Sequence, residues 1–253
     1  MPEPGPPLRI IINADDLGAG EEVNAAILDL MAQDRITSAT ILANGPAAKA
    51  ALARVALFPQ CSFGVHLNIT EFVPLTKAPP LQPLLDERGA LRKVIRTVPL
   101  TPALKQAVYE EWSAQVATVL AAGVPVSHLD SHHHSHTLPG FLPILRRLQK
   151  RFGIRRARVS INLFRPEERK SPLLGAKKFL FNAALRYFCG FRTPDACADF
   201  ESFLHIPPAT LGSMTCVELM THPGHINYRN ETRLLLQDWT HRFPCRLVTY
   251  KDL

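Results

Sequence analysis

The sequence predicts a single α/β domain with mainly parallel strands, curled into a barrel-like (β/α) fold. Three observations carry this. Apolar strand-like runs alternate with helical segments through most of the 253 residues, the signature of βαβ units. The first such run, "LRIIINADD" (8–16), stays apolar almost to its end, as in strands covered on both faces. The length suits one barrel, and neither an internal repeat nor a linker divides the chain. The expected domain is therefore 1–253, with residues 1–7 as a disordered, Pro-rich leader.

The elements follow in order. After the strand at 8–16, residues 21–34 place Val23, Ile27, Leu30 and Met31 on one helical face. Residues 38–45 predict a second strand, 46–58 a second helix and 61–69 a third strand. Residues 71–100 are rich in proline and basic residues and lack a clear period, which predicts a long inserted loop, a candidate lid. Residues 102–123 predict a long helix ended by glycine, and 125–133 a strand with its exit loop. Residues 139–153 carry proline early and glycine last, a helix signature. Residues 155–162 predict a strand, 171–190 a helix, 216–224 a strand, 229–242 a helix and 245–250 a last strand.

Composition narrows the function classes. No apolar run approaches the roughly 18 residues of a membrane span. The start "MPEPGPPLR" lacks the apolar core of a signal peptide, so the cytoplasm is the expected location. Cys61, Cys189, Cys197, Cys216 and Cys245 are scattered and odd in number, which predicts reduced, mostly core thiols. The net charge is +7, but its basic residues are dispersed. Their densest cluster, "LRRLQKRFGIRRAR" (145–158), predicts a solvated helix face with one or two working arginines, so nucleic acid is not an expected partner.

Chemistry concentrates at strand ends, where parallel α/β folds keep their working residues. Residues 127–136 read "SHLDSHHHSH" and hold half of the ten histidines. The first strand ends in Asp15–Asp16, the third in His66, the fourth leads into "DSHHHSH", and a late strand ends in "THPGH" with His222. Each alone has a plainer use: a helix cap, a core histidine, a surface loop, a turn. Together they predict one metal centre. One aspartate and two histidines make an open facial ligand set, and the ion would activate water and polarise a carbonyl. A neighbouring carboxylate would accept the water proton. Adjacent side chains on a strand face opposite sides, so at most one or two of His132, His133 and His134 can reach one ion. Asp130 and His128 alternate with His132, and Asp130 is the candidate carboxylate partner for a ligand imidazole.

"NADDLG" (13–18), "TSATILANGPAA" (37–48), "GVHLNIT" (64–70), "SHLDSHHHSH" (127–136) and "MTHPGH" (220–225) resemble the YdjC-like carbohydrate deacetylases. That family includes chitooligosaccharide deacetylases and proteins encoded with hopanoid biosynthesis. The resemblance implies a (β/α) barrel-like deacetylase fold and metal-dependent removal of an acetyl group from an N-acetylated sugar or glycolipid. It implies one divalent ion, magnesium or zinc, held by Asp16, His66 and His132. It makes Asp15 the general base, His222 the general acid or transition-state stabiliser, and Arg158 the residue that orients Asp15. Aromatic side chains in 71–100 or near 188–203 are expected to stack on the sugar. The chain departs from the family pattern at Leu17, Ser135 and His225 and in the "VSIN" (159–162) that flanks Arg158, and Leu17 and His225 are expected beside the site, where they bear on the substrate. Two rivals remain: a barrel phosphoesterase, which needs two or three metals, and a non-catalytic sugar-binding protein, against which the intact Asp15, Asp16, His66, His132 and His222 set stands. A homodimer is allowed but not required.

Overall fold

The computed structural model describes residues 7–168, 171–242 and 245–253. The expected leader, apart from Pro7, lies outside the described residues. Strands and helices alternate as β1 (Leu8–Leu17), α1 (Glu21–Ala32), β2 (Ser38–Ile41), α2 (Ala48–Leu52), β3 (Ser62–Leu67), α3 (Pro102–Ala121), β4 (Val126–Ser131), α4 (Leu142–Phe152), α5 (Pro172–Tyr187), β5 (Ala196–Asp199), α6 (Phe200–Phe203), β6 (Cys216–Thr221), α7 (Arg229–Leu235) and β7 (Cys245–Leu247). The strands form one curled sheet in the order β4-β3-β2-β1-β6-β5, and every strand pairing is parallel. β7 pairs with the first residues of β1, and β2 with its last residues. This is the α/β, barrel-like, single-domain fold that the alternation predicted.

Several elements differ from expectation, among them the helix expected at 229–242, which ends at Leu235. Residues 155–162 do not form a strand. Only Arg156 and Ala157 make ladder contacts, to Arg192 and Leu129 respectively. Beyond them the backbone is satisfied by side chains instead: the Ser160 N–H donates to Asn182 Oδ1. The N–H groups of Asn162 and Leu163 then donate to the carbonyl of Cys197 in β5, so an irregular segment links the two edges of the sheet. β5 itself was not anticipated, because "ACAD" carries no β-branched or aromatic residue to mark it. The expected helix at 46–58 is shorter, with α2 giving way to a tight turn at Val55–Leu57. The others are bounded by ordinary signals: Thr101 and Ser171 cap α3 and α5, and Gly153 ends α4 in the left-handed conformation.

The strands alternate between two environments. Ile10, Ile12, Ala39, Ile41, Phe63, Val65, Leu129, Val217 and Leu219 join the main core. Each large side chain fully buried there stabilises by roughly 1.5–3 kcal/mol. The intervening residues, Asn13, Ser38, Thr40, Ser62, His66, His128, Asp130 and Glu218, are buried and polar. Gly64 shows how tight that polar set is: a Cβ there would lie 2.6 Å from His128 Cε1. The His128 ring in turn stacks on Tyr250 with centroids 3.5 Å apart, and Ile11, Cys216, Val248 and Tyr250 form a small separate apolar cluster.

Residues 71–100 form a long connection with a tight turn at Pro79–Leu84 and a bridge between Leu85 and Leu91. Leu81, Leu84, Leu91 and Ile95 are buried, which anchors the segment. The buried carboxylate of Glu111 on α3 accepts from the N–H groups of Leu75 and Thr76 and from the Thr76 hydroxyl. All five cysteines are unpaired and four are buried, in keeping with their expected place in the core. Among the described residues no helix is long and apolar enough to cross a membrane.

Candidate metal centre

The double aspartate sits on a β-bulge. The register of β1 against β2 shifts between Ala14 and Leu17, and Asp16 has φ 69°, in the left-handed region. In a regular strand Asp15 and Asp16 would face opposite sides; the extra residue re-aims one of them so that both line the same cleft.

The histidine cluster is resolved by a similar device. β4 ends at Ser131, and His132–Thr137 forms a tight turn in which His133 and His134 have φ of 51° and 53°. Only His132 is thereby directed at Asp16. His133 Nδ1 lies 2.9 Å from the Thr70 hydroxyl, His134 lines the cleft rim, and His136 bonds to Ser131 and the carbonyl of Arg158. The buried Ser135 hydroxyl closes the turn by donating to the carbonyl of His132.

The ligand candidates converge. Asp16 Oδ1 lies 2.8 Å from His132 Nδ1 and 3.2 Å from His66 Nε2. The three residues offer donor atoms all within 4.8 Å of one another, and all three are buried. Each imidazole has its other nitrogen held by a carboxylate. His66 Nδ1 donates to Asp130 Oδ1 at 2.7 Å, and His132 Nε2 donates to Glu71 Oε2 at 2.8 Å. A carboxylate only accepts, so these bonds hold a proton on His66 Nδ1 and on His132 Nε2 and leave the other ring nitrogen of each facing Asp16. Asp16 Oδ1 is buried without an aligned hydrogen-bond partner. The three donor atoms thus lie close enough together to share one divalent ion.

Electrostatics agree. Burial opposes charge on His66, yet Asp130 and Asp15 outweigh it and raise its pKa to about 10. Burial likewise opposes charge on His132, and the nearby carboxylates of Asp16 and Glu71 outweigh it, so its pKa also rises. The carboxylates demand positive charge here, and an ion would supply it while releasing protons from the imidazoles. Two other groupings have metal-capable donors, Glu71–His132–His133 and Asp15–His66–Asp130. Each shares a histidine with the first. In the second, both carboxylates are already engaged by Arg158.

Arg158 is wholly buried under the cleft. Its guanidinium pairs bidentately with Asp15 at 2.6 and 2.7 Å, with Asp130 Oδ2 at 3.0 Å and with Glu218 Oε1 at 2.8 Å. It does not line the cleft, so it positions Asp15 rather than touching a ligand. Asp15 Oδ1 also accepts from Asn13. Oδ2, which accepts from Arg158 Nη1 at 2.7 Å, also lies 3.9 Å from both His66 Nε2 and His222 Nε2. His222, just past β6, stacks on Tyr228 with centroids 4.3 Å apart, and its Nδ1 lies 3.9 Å from the buried Glu231 carboxylate. Burial lowers the His222 pKa, but Glu231 and Asp15 outweigh it and the net direction is upward.

The structure therefore brings Asp15, Asp16, His66, His132 and His222 to one cavity of about 430 Å³, with Arg158 beneath. Asp130 does serve a ligand imidazole, though it is His66 rather than its neighbour His132. His128 lies deeper, bonded to Ser127 and stacked on Tyr250. Leu17 does not line the cleft but is buried in the core, whereas His225 does line it. The cleft's aromatic is Tyr228, from neither stretch expected to supply one; Phe200 and Phe203 are core residues. Glu71, Lys93, Tyr228 and Glu231 escaped the sequence reading. Glu71 directly follows "GVHLNIT", a position that could have marked it; the other three have no local signal.

The family model for YdjC-like proteins matches residues 9–243. The chain belongs to the YdjC-like family. Similar YdjC-like relatives include a carbohydrate deacetylase of Halalkalibacterium halodurans, 34% identical over 149 residues, which are 58% of this chain and 62% of that protein. Another, from Vibrio campbellii, is 35% identical over 150 residues, 58% of this chain and 57% of that protein. These two matches thus span about six-tenths of each relative's length. A carbohydrate deacetylase of Brevibacillus brevis is 28% identical over 265 residues, covering 97% of this chain and 100% of that protein. The YdjC-like fold is also seen in a solved structure from Enterococcus faecalis V583, a protein proposed to cleave cellobiose phosphate. Its TM-score is 0.76 at 23% identity, covering 97% of this chain and 98% of that one.

Proposed function

We propose that this protein is a metal-dependent hydrolase that removes an acetyl group from an N-acetylated sugar or glycolipid. The observation that carries this is the convergence of Asp16, His66 and His132 on one centre beside Asp15 Oδ2 and His222 Nε2. The names of the relatives, carbohydrate deacetylases, support the substrate class.

Asp16, His66 and His132 would hold one divalent ion, zinc or magnesium, and the two nitrogen donors suit zinc better. Bound there, the ion would supply Lewis acidity to the attacking water and the acetyl carbonyl. Asp15 Oδ2 takes the water proton as the C–O bond forms. Arg158 holds both oxygens of that carboxylate and Asn13 holds Oδ1, so the remaining lone pair of Oδ2 is presented in a fixed direction. His222 Nε2 gives a proton to the amine nitrogen as the C–N bond breaks, leaving acetate and a free amino sugar. Glu231 holds His222 from behind, and Tyr228 offers an aromatic face in the same cleft. Glu71 and Lys93, from the segment 71–100, form part of its wall, and we assign that segment to sugar binding. Five unpaired cysteines suit a reducing compartment such as the cytoplasm.

The test is acetate release from a panel of N-acetylated sugars, with and without chelator. Chelator-sensitive release restored by added zinc or magnesium is expected. Absence of release across the panel by metal-loaded protein would overturn the reading.

A further inference from the structure

The outer face of α5 inverts the usual rule that a surface helix turns its polar side to water. Leu173, Ala176, Leu180 and Tyr187 recur at helical spacing, with Phe179 beside them, and all are exposed. Leu173 and Leu180 are each 66% exposed, Phe179 72% and Tyr187 87%. The opposite face is the one that packs: Phe181, Asn182 and Leu185 are buried, and Asn182 bonds to Ser160. The apolar face is therefore not a core face turned outward by mistake in register. A contiguous exposed apolar face of this kind marks a docking surface.

Charge selects the occupant. Residues 169–194 contain no aspartate or glutamate, while Lys177, Lys178, Arg186 and Arg192 lie on or just after α5. Lys178 and Arg186 are held by the carbonyls of Ile161 and Pro194, and Arg186 also lies near Asp195, but Lys177 is exposed, and two copies of this chain meeting isologously across α5 would set one Lys177 against the other. An anionic lipid surface satisfies both properties at once: the apolar side chains enter the headgroup–acyl boundary and the exposed Lys177 meets lipid charge. α5 also forms a wall of a second cavity of about 370 Å³ through Leu174, Lys177 and Phe181. That cavity and the candidate metal cleft share His134.

We propose that α5 docks the protein peripherally on anionic lipid bilayers, with its apolar face inserted at the interface. The surface is independent of the chemistry assigned to the cleft. The test is co-sedimentation of the full chain with vesicles of phosphatidylcholine alone and of phosphatidylcholine with about 30 mol % phosphatidylglycerol. Binding to the mixed vesicles is expected, with much weaker binding to the neutral ones. Leu180→Glu and Phe179→Glu should each lower the partition coefficient on the order of tenfold, since each removes apolar insertion and adds a repelled charge. Both positions are exposed, so thermal unfolding should be unchanged, and Lys177→Glu gives a second, purely electrostatic check. No sedimentation of the wild type, or sedimentation unaffected by these variants, would overturn the proposal. So would a concentration-dependent dimer, seen by analytical ultracentrifugation and lost in Leu180→Glu, in a protein that ignores vesicles.

Discussion

At the scale of single residues, the two adjacent aspartates have different surroundings. Asp16 Oδ1 faces both imidazoles, while Asp15 is tied to Arg158 through both oxygens. Asp15→Asn should retain the ion and lose activity by about 10²–10⁴-fold, the usual worth of a general base. Asp16→Asn should lose the ion as well. Elemental analysis alongside acetate release distinguishes the two, and the opposite pattern would reverse the roles. His222 gives a second residue-scale prediction. Its pKa is raised, so its proton persists above the ordinary value near 6.5 and is lost as pH rises through the raised value. If His222 is the acid, the alkaline limb of kcat/KM lies above that ordinary value, and Glu231→Gln should move the limb to lower pH. A limb that stays in place in Glu231→Gln would assign it to another group.

At the scale of elements, the strands carry a polar inner row that leaves little free space. β3 passes the His128 ring at Gly64, where no Cβ fits. Gly64→Ala should therefore destabilise by about 1–3 kcal/mol through overpacking, measured by urea unfolding. Combining it with His128→Ser should recover part of that loss, because the two changes share one contact. Equal losses in the single and double variants would mean that the strain lies elsewhere. The elements also show how much of the fold was legible. Helices α1, α3, α4 and α5 were readable from period and caps, because those signals are local. The segment 155–162 was not, because its hydrogen bonds go to Asn182 and to the Cys197 carbonyl, partners remote in sequence.

At the scale of the whole molecule, the barrel's interior stores acid sensitivity. Burial depresses the His128 pKa to about 3, with Arg158 and His66 adding repulsion. His128 is therefore neutral in the folded protein while the unfolded chain takes up a proton below pH 6.5. Its contribution is intact above pH 6.5 and is lost as pH falls toward about 3, at about 1.4 kcal/mol per pH unit. Buried His136, depressed to about 4, acts in the same direction. His128→Phe should reduce the stability lost between pH 6.5 and pH 5 by about 2 kcal/mol, read from urea midpoints at the two pH values. An acid limb as steep as that of the wild type would remove His128 from the explanation.

The sequence by itself determined the alternation of strands and helices, and it determined which strand ends carry carboxylates and imidazoles. Both follow from local pattern: apolar periodicity, caps, and a strand's direction in a parallel sheet. Only the tertiary structure decided which way those side chains turn. A register shift between β1 and β2 brings both Asp15 and Asp16 to one cleft, and a turn through two left-handed residues, His133 and His134, sets His132 beside Asp16. It also decided the partners: Asp130 on His66, Glu71 on His132, Glu231 on His222, and Arg158 among three carboxylates. Apart from Glu231 and His222, nine residues apart, those pairings join residues far apart in the chain. No local pattern encodes them, because what sets them is the curl of the sheet and the need of each buried charge for an opposite one.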